Sequence, residues 1–306
     1  MPGIGQTALS ASLSSCSNNL TAEPPHMRIA DTIAETRAFV RMARNGSKSV
    51  GLVPTMGAFH DGHLALMRRA RNDNDVVIVS LFVNPTQFGP NEDFAAYPRD
   101  FNSDAVRAQR EGVDLIFAPP VEEMYPAPPL TTVHVSGLTE GLCGRARPGH
   151  FDGVTTVCAK LFSIALPDRA YFGEKDYQQL QVIRQMVADL NLPLSIVAVP
   201  TVREADGLAL SSRNQYLSPQ ERAAAPTLQR ALQAGAEAVR KGATGPQAEL
   251  VVADALAAQP LFDLQYVSAV HPETLVAATW GGPPMVIAAA AHLGSTRLID
   301  NVKIEA

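Results

Sequence analysis

Eight consecutive residues, Val76 to Val83, carry Ser80 as their one polar interruption, and Asn84-Pro85 ends the run. A strand with one wet face alternates apolar and polar residues, so a run without alternation needs apolar cover on both sides. Such a strand belongs in a parallel sheet between two helical layers. It is also far short of the roughly 18 apolar residues that a membrane span requires. Ser49 to Val53, Asp114 to Ala118, Arg169 to Phe172 and Leu194 to Val199 read as further strands, and Thr131 to Val135 alternates briefly as a half-exposed strand does. Between them, Leu64, Met67 and Ala70 draw one apolar helix face while Arg68, Arg69 and Arg71 point elsewhere. Asn102 to Arg110 and Val154 to Ile164 suit helices, and Leu180, Ile183, Val187 and Leu190 draw a second stripe.

Strand and helix in alternation predict a doubly wound, Rossmann-like α/β domain over residues 27–201, whose ligands sit at the carboxyl ends of the strands. From Val202 the pattern changes. Pro219 to Lys241 and Gln247 to Ala258 are Ala-rich and helical, and strands follow near Leu264 to Ala269, Met285 to Ala291 and Arg297 to Asn301, which predicts a smaller α+β domain over residues 202–306. Residues 1–26 hold five serines between Ser10 and Ser17 with Pro24-Pro25 close behind, and read as a disordered tail with Met27 as an alternative start.

Charge and cysteine content narrow the function classes. The 25 basic against 30 acidic residues leave a net charge of -5, so a nucleic-acid backbone is not the expected partner, and a membrane role is not expected either. Cys16, Cys143 and Cys158 form no CxxC pair, which fits a reducing cytoplasm better than a disulfide framework or a cysteine-rich zinc site. The first Lys or Arg is Arg28, too late for the n-region of a secretory leader.

Four clusters could carry chemistry. The first predicted strand runs into Pro54-Thr-Met-Gly-Ala-Phe-His-Asp-Gly-His63, two imidazoles three residues apart at a strand-to-helix turn. Gly57 and Gly62 permit a tight turn, and unpaired amides at the new helix favour an anion such as a phosphate. The same residues also read as an ordinary capped helix, and HxxH without a third ligand nearby is a weak zinc pattern. Phe172-Gly-Glu-Lys-Asp-Tyr-Gln-Gln179 is a second strand-to-helix passage, where Lys175 meets either a triphosphate or its neighbours Glu174 and Asp176. Ser211-Ser-Arg-Asn214 is a phosphate clamp or a solvated loop. Past the buried strand, Asn84 and Gln87 offer neutral amides to a hydroxyl- or carboxylate-bearing substrate, or simply cap an Asn-Pro turn.

Taken together, PTMGAFHDGH, FVNPTQF, EDFAAYPRD, GHFDGVTTV, YFGEKDYQQLQ and LSSRNQYL resemble the pantothenate synthetases, the pantoate-β-alanine ligases of the nucleotidyltransferase superfamily, over about residues 27 to 306. Their HxGH and basic-loop motifs resemble the HIGH and KMSKS signatures of class I aminoacyl-tRNA synthetases. The resemblance implies an ATP site made of Met56, Gly57, Ala58, Phe59, His60, Asp61, Gly62 and His63, with His63 as proton donor and His60 beside the phosphates. It extends that site through Gly173, Glu174, Lys175 and Asp176, a backbone contact at Val202, and a loop of Leu210, Ser211, Ser212 and Arg213 closing over the triphosphate. Gln87 and Gln179 would hold pantoate, with Gln87 also near β-alanine. Leu210 stands where many members have Met, and Thr86 where Met or Leu is frequent.

The activity so implied joins pantoate to β-alanine, with ATP cleaved to AMP and diphosphate through a pantoyl adenylate. His60, His63, Lys175, Ser211, Ser212, Arg213 and a magnesium ion would stabilise triphosphate charge. The resemblance also implies a homodimer. A transferase that adenylylates a phosphorylated acceptor would need basic residues where Gln87 and Gln179 stand. A nucleotide-binding regulator without turnover would not need both histidines together with both glutamines.

Overall fold

The computed structural model describes residues 27–305 apart from 91 and 93, so the predicted N-terminal tail and Cys16 lie outside the described residues. Strands β1 (Arg28–Ala30), β2 (Val50–Thr55), β3 (Val76–Leu81), β4 (Leu115–Phe117), β5 (Arg169–Gly173) and β6 (Ser195–Val199) form one parallel sheet in the order β1-β4-β3-β2-β5-β6. Helices α1 (Ile33–Asn45), α2 (Asp61–Asp73), α3 (Phe101–Arg110), α4 (Val121–Met124), α5 (Leu142–Ala146), α6 (His150–Ala165) and α7 (Tyr177–Asp189) connect them.

The unbroken run in β3 has the expected cause. Val76 and Ile78 bury on one face with Val40 of α1, Val154 and Leu161 of α6 and Ile183 of α7. Val77 and Val79 bury on the other with Met67 of α2 and Ala108 of α3. Chain order then locates the crevice. From β2 the chain steps outward through β3 to β4, then crosses to β5 on the other side of β2. The carboxyl ends of β2 and β5 therefore flank a topological switch point, where open α/β sheets bind ligands.

Three features differ from the sequence reading. Ahead of β2 stand β1 and α1, the latter started by a capping box in which Thr32 and Glu35 each bond the other's backbone. Thr131 to Val135 is not a strand, because its polar backbone is satisfied by side chains of α6: Val133 donates to Thr156 Oγ1 at 3.0 Å, and its carbonyl accepts from Thr155. The helix expected over Pro219 to Lys241 is two, α8 (Pro219–Ala224) and α9 (Thr227–Arg240), parted at Pro226, whose ring nitrogen cannot donate to the preceding turn.

With α10 (Gly245–Ala257), these helices cover an antiparallel sheet of β7 (Phe262–Val270), β8 (Met285–Leu293) and β9 (Thr296–Ile304) in that order. Its core is separate from the first two and joins Leu228 and Leu232 of α9, Val252 and Leu256 of α10, and Ile287 of β8. Among the described residues, no helix is long and apolar enough to cross a membrane.

Candidate active site

The turn from β2 into α2 is held from outside. Gly57 and Ala58 both take left-handed backbone, with φ of 89° and 52°. That twist aims two consecutive amides at Asp104 of α3, whose carboxylate accepts from Ala58 at 2.8 Å and Phe59 at 2.7 Å. Burial pushes the Asp104 carboxyl upward, and the two amide bonds oppose it. The amides just ahead of the helix are thus taken by protein, and so are the helix amides of Gly62, His63 and Leu64. Gly62 donates to His60 Nδ1 at 3.2 Å, His60 donates to His63 Nδ1 at 3.3 Å, and the His63 amide bonds the His60 carbonyl at 2.8 Å.

What this turn offers a ligand is imidazole rather than backbone. Because each Nδ1 accepts a backbone N–H, each ring carries its proton on Nε2, and both rings are hydrogen-bond donors there. Their centroids lie 4.2 Å apart. Burial, with help from the Lys175 charge, pulls His60 down to about 4. His63 is held well below the ordinary imidazole value by burial, then by His60 and Lys175. Both are therefore neutral near pH 7. Among the described residues no three His, Cys, Asp or Glu side chains gather as a metal site, and both Nδ1 atoms are already engaged.

Lys175 lies in a 3-10 turn, Glu174–Asp176, ahead of α7, so it precedes the helix rather than sitting in it. Its Nζ donates to the Leu210 carbonyl at 3.3 Å. The turn is held by Asn301 of β9, whose Nδ2 donates to the carbonyls of Glu174 at 2.9 Å and Lys175 at 3.0 Å. Next to Asn301 on the same strand, Asp300 pairs with both Arg203 guanidinium nitrogens at 2.6 and 2.9 Å, fixing the start of the 202–213 loop. The acidic turn in that loop is engaged as well, since Arg222 binds Glu204 and Asp206 at 2.6 and 2.7 Å. Leu210 closes the loop by donating to Val202 at 3.0 Å, and Ser211 caps the 3-10 turn Ser212–Tyr216. Arg213 lies over the Tyr97 ring at 5.7 Å, and Ser212 Oγ is 3.4 Å from the Tyr97 hydroxyl.

Past β3, Asn84 is 1% exposed and its amide is engaged by protein: Nδ2 donates to Gly153 O at 3.1 Å and Gln87 Oε1 at 3.2 Å. Asn84 therefore braces Gln87 and has no donor left for a substrate, which corrects the expectation of a direct contact. Gly153 lets α6 close on this loop, since a Cβ there would stand 2.4 Å from the Thr86 carbonyl oxygen. Among the described residues no protein hydrogen bond ties the half-buried Gln179 amide, one turn into α7.

A cleft of about 220 Å³ is lined by Met56, His60, Gly62, His63, Asn84, Gln87, Gly173, Lys175, Asp176, Gln179, Val202 and Leu210 through Arg213. Gly57, Ala58, Phe59, Asp61 and Glu174, expected at the ATP site, do not line it. Phe59 is 4% exposed and belongs to the core under α2. Asp104 and Tyr97 support the site without having been singled out by sequence. Tyr97 stands inside EDFAAYPRD, whereas nothing local marked Asp104, which acts across 45 residues of chain.

A parallel sheet whose switch point carries an HxGH turn, a lysine turn and a Ser-Ser-Arg loop defines an enzyme of the nucleotidyltransferase superfamily. Within it, the family model for pantoate-beta-alanine ligase matches residues 28–303, and the chain belongs to that family. The chain is similar to the pantothenate synthetase of Moorella thermoacetica, 54% identical over 91% of this chain and 99% of that relative. It is similar in structure to the pantothenate synthetase of Thermus thermophilus, at TM-score 0.87 and 51% identity, covering 92% of this chain and 100% of that one. The pantoate-beta-alanine ligase of Francisella tularensis, solved with beta-gamma ATP and beta-alanine, matches at TM-score 0.75 and 34% identity over 91% and 98% of the two chains. The protein is a ligase of pantothenate formation.

Proposed function

We propose that the cleft between β2 and β5 carries out both halves of an ATP-dependent condensation. In the first, a pantoate carboxylate oxygen attacks the α-phosphorus of ATP, the bond from that phosphorus to the α,β-bridging oxygen breaks, and diphosphate leaves. In the second, the β-alanine amine attacks the acyl carbon, the bond to AMP breaks, and the amine proton passes to solvent. The observation that carries this reading is the pairing, in one cleft, of cationic and N–H donors with neutral amides. Lys175 and Arg213 supply positive charge to the triphosphate, Ser211 and Ser212 supply hydroxyls, and His60 and His63 donate Nε2–H while staying neutral. Donors already fixed by the fold need little reorganisation as charge develops on phosphate oxygens. Gln87 and Gln179 carry no charge, so they suit the carboxylate and hydroxyl of pantoate better than a phosphorylated acceptor.

Magnesium fits this cleft, since Asp176 would offer one carboxylate beside the phosphate oxygens and waters that the ion favours; it would neutralise phosphate charge. Family membership also supports a cytoplasmic homodimer, and sedimentation equilibrium at micromolar concentration tests the dimer. The deciding experiment is isotope exchange of diphosphate into ATP. Exchange is expected with pantoate present and β-alanine absent; exchange that requires β-alanine refutes the adenylate.

A further inference from the structure

We infer that Tyr125 and Asn84 are positioning residues that fix Gln87 as a hydrogen-bond donor toward the acceptor substrate. The inference rests on the reading above, in which Gln87 faces pantoate, and adds which end of its amide the substrate meets.

The polarity follows from what each partner can do. Asn84 Oδ1 receives the Tyr125 hydroxyl at 3.0 Å, the Thr86 hydroxyl at 3.0 Å and the Thr86 amide at 3.4 Å. A backbone N–H can only donate, and an amide nitrogen has no lone pair to receive it, so the oxygen of Asn84 must point this way. Its nitrogen then points at the Gly153 carbonyl and at Gln87 Oε1. The Gly153 carbonyl can only accept, so the two ends of Asn84 give the same orientation independently. A reversed Asn84 would set oxygen against oxygen at 1% exposure, where water does not relieve the clash.

The orientation passes on to Gln87. Its Oε1 faces the Asn84 N–H, so its Nε2 is the end turned to the cleft, and that nitrogen contacts Met56 Sδ at 2.9 Å. One of its two hydrogens is thus engaged and one remains for a ligand. The backbone of Gln87 is held from behind. His150 Nε2 accepts from Arg147 at 3.0 Å, which leaves the proton on Nδ1 to donate to the Gln87 carbonyl at 2.8 Å. Arg147 is itself pinned by Glu92 through two bonds of 2.6 Å. Among the described residues, nothing comparable orients Gln179. At Gln87 a ligand must therefore present an acceptor, such as a carboxylate or hydroxyl oxygen, and an ammonium placed there meets an N–H. The pantoate carboxylate and the β-alanine ammonium are told apart at this position before any chemistry.

Tyr125→Phe keeps the ring, and with it the contact to Lys160 Nζ at 4.8 Å, but removes the hydroxyl. Combining it with Thr86→Val removes both hydroxyls that orient Asn84. Steady-state kinetics with pantoate varied, and calorimetric titration with ATP, read the outcome. The expected result is a pantoate KM raised about threefold in Tyr125→Phe and on the order of tenfold in the double variant, with kcat and ATP affinity within twofold of the parent. A merely structural role would lower Tm and ATP affinity without this KM-against-kcat split. A pantoate KM within twofold of the parent in the folded double variant overturns the inference, and should that variant not fold, Tyr125→Phe decides by the same criterion. A parent enzyme that fails to exchange diphosphate with pantoate refutes the functional reading instead, so the two failures are distinguishable.

Discussion

His60 and His63 cap one helix end in opposite directions: Nδ1 of His63 accepts the His60 amide, while Nδ1 of His60 accepts the Gly62 amide. Each bond requires an unprotonated Nδ1, so the local fold and the neutral state of the pair are the same fact. His60 titrates near 4 in the folded chain against an ordinary 6.5. His150 is likewise pulled to about 4 by burial and Arg147, and His63 is lowered too. Between those values the unfolded chain binds more protons than the folded one. Stability from these groups is therefore complete above about pH 6.5 and falls as pH drops toward 4. Urea unfolding across pH 4 to 7 should show a midpoint that declines steadily on acidification, and His60→Gln should flatten the slope. A midpoint insensitive to pH in that window would contradict the assignment.

Asn301 reaches from the C-terminal sheet to the carbonyls of two successive residues, Glu174 and Lys175. Lys175→Ala removes the charge itself and is expected to cost 100-fold or more in kcat with the fold intact. Asn301→Ala removes only the brace and leaves two carbonyls short of a donor, so a milder loss of roughly tenfold in kcat/KM for ATP is expected, with pantoate KM little changed. Equal damage from both substitutions would show that Asn301 does more than hold the turn.

Asp104 is 2% exposed and satisfies two amides that the left-handed turn at Gly57-Ala58 directs inward. Asp104→Ala strands both in the interior, and a loss of about 2 to 4 kcal/mol in unfolding free energy is expected from chemical denaturation. Gly62→Ala acts on the same turn from the cleft side, because its Cβ would lie 2.8 Å from His60 Cε1. That variant should keep most of its stability yet lose ATP affinity by calorimetry, as the His60 ring is pushed from its place.

How far the sequence discloses this site depends on the range of the interaction. Val76 to Val83 displays its two-sided burial because the cause is a period along the chain itself, and the carboxyl-end location of His60, Lys175 and Gln87 follows from strand order. Asp104, Asn301 and Tyr125 are not legible in the same way. They act on residues 41 to 127 positions distant, and an aspartate in a helix or an asparagine in a strand looks locally like any solvated polar residue. Asn84 shows the reverse error: position at a strand end suggested a ligand contact, while burial and four protein partners make it a brace.

Gln87, in the turn after β3, and Gln179, in the first turn of α7 beyond β5, line one cleft, but the fold constrains them unequally. Gln87 is held at its carbonyl by His150 and at its side chain by Asn84 and Met56, whereas Gln179 has no protein hydrogen bond among the described residues. A preset donor makes its bond to pantoate without further ordering, while a loose amide loses rotamer freedom when it binds. Both alanine variants should weaken pantoate, by roughly 1 to 3 kcal/mol where a bound oxygen is left without its partner, and Gln87→Ala should be the more damaging. Gln87→Ala should also release Asn84 Nδ2 inside the fold and lower Tm, while Gln179→Ala should leave Tm unchanged because it breaks no internal bond. Calorimetric titration of each variant with pantoate and separately with ATP checks the division of the cleft. If ATP affinity falls as far as pantoate affinity, the two glutamines belong to the nucleotide site, and if Gln179→Ala is the costlier change, preorganisation does not rank them.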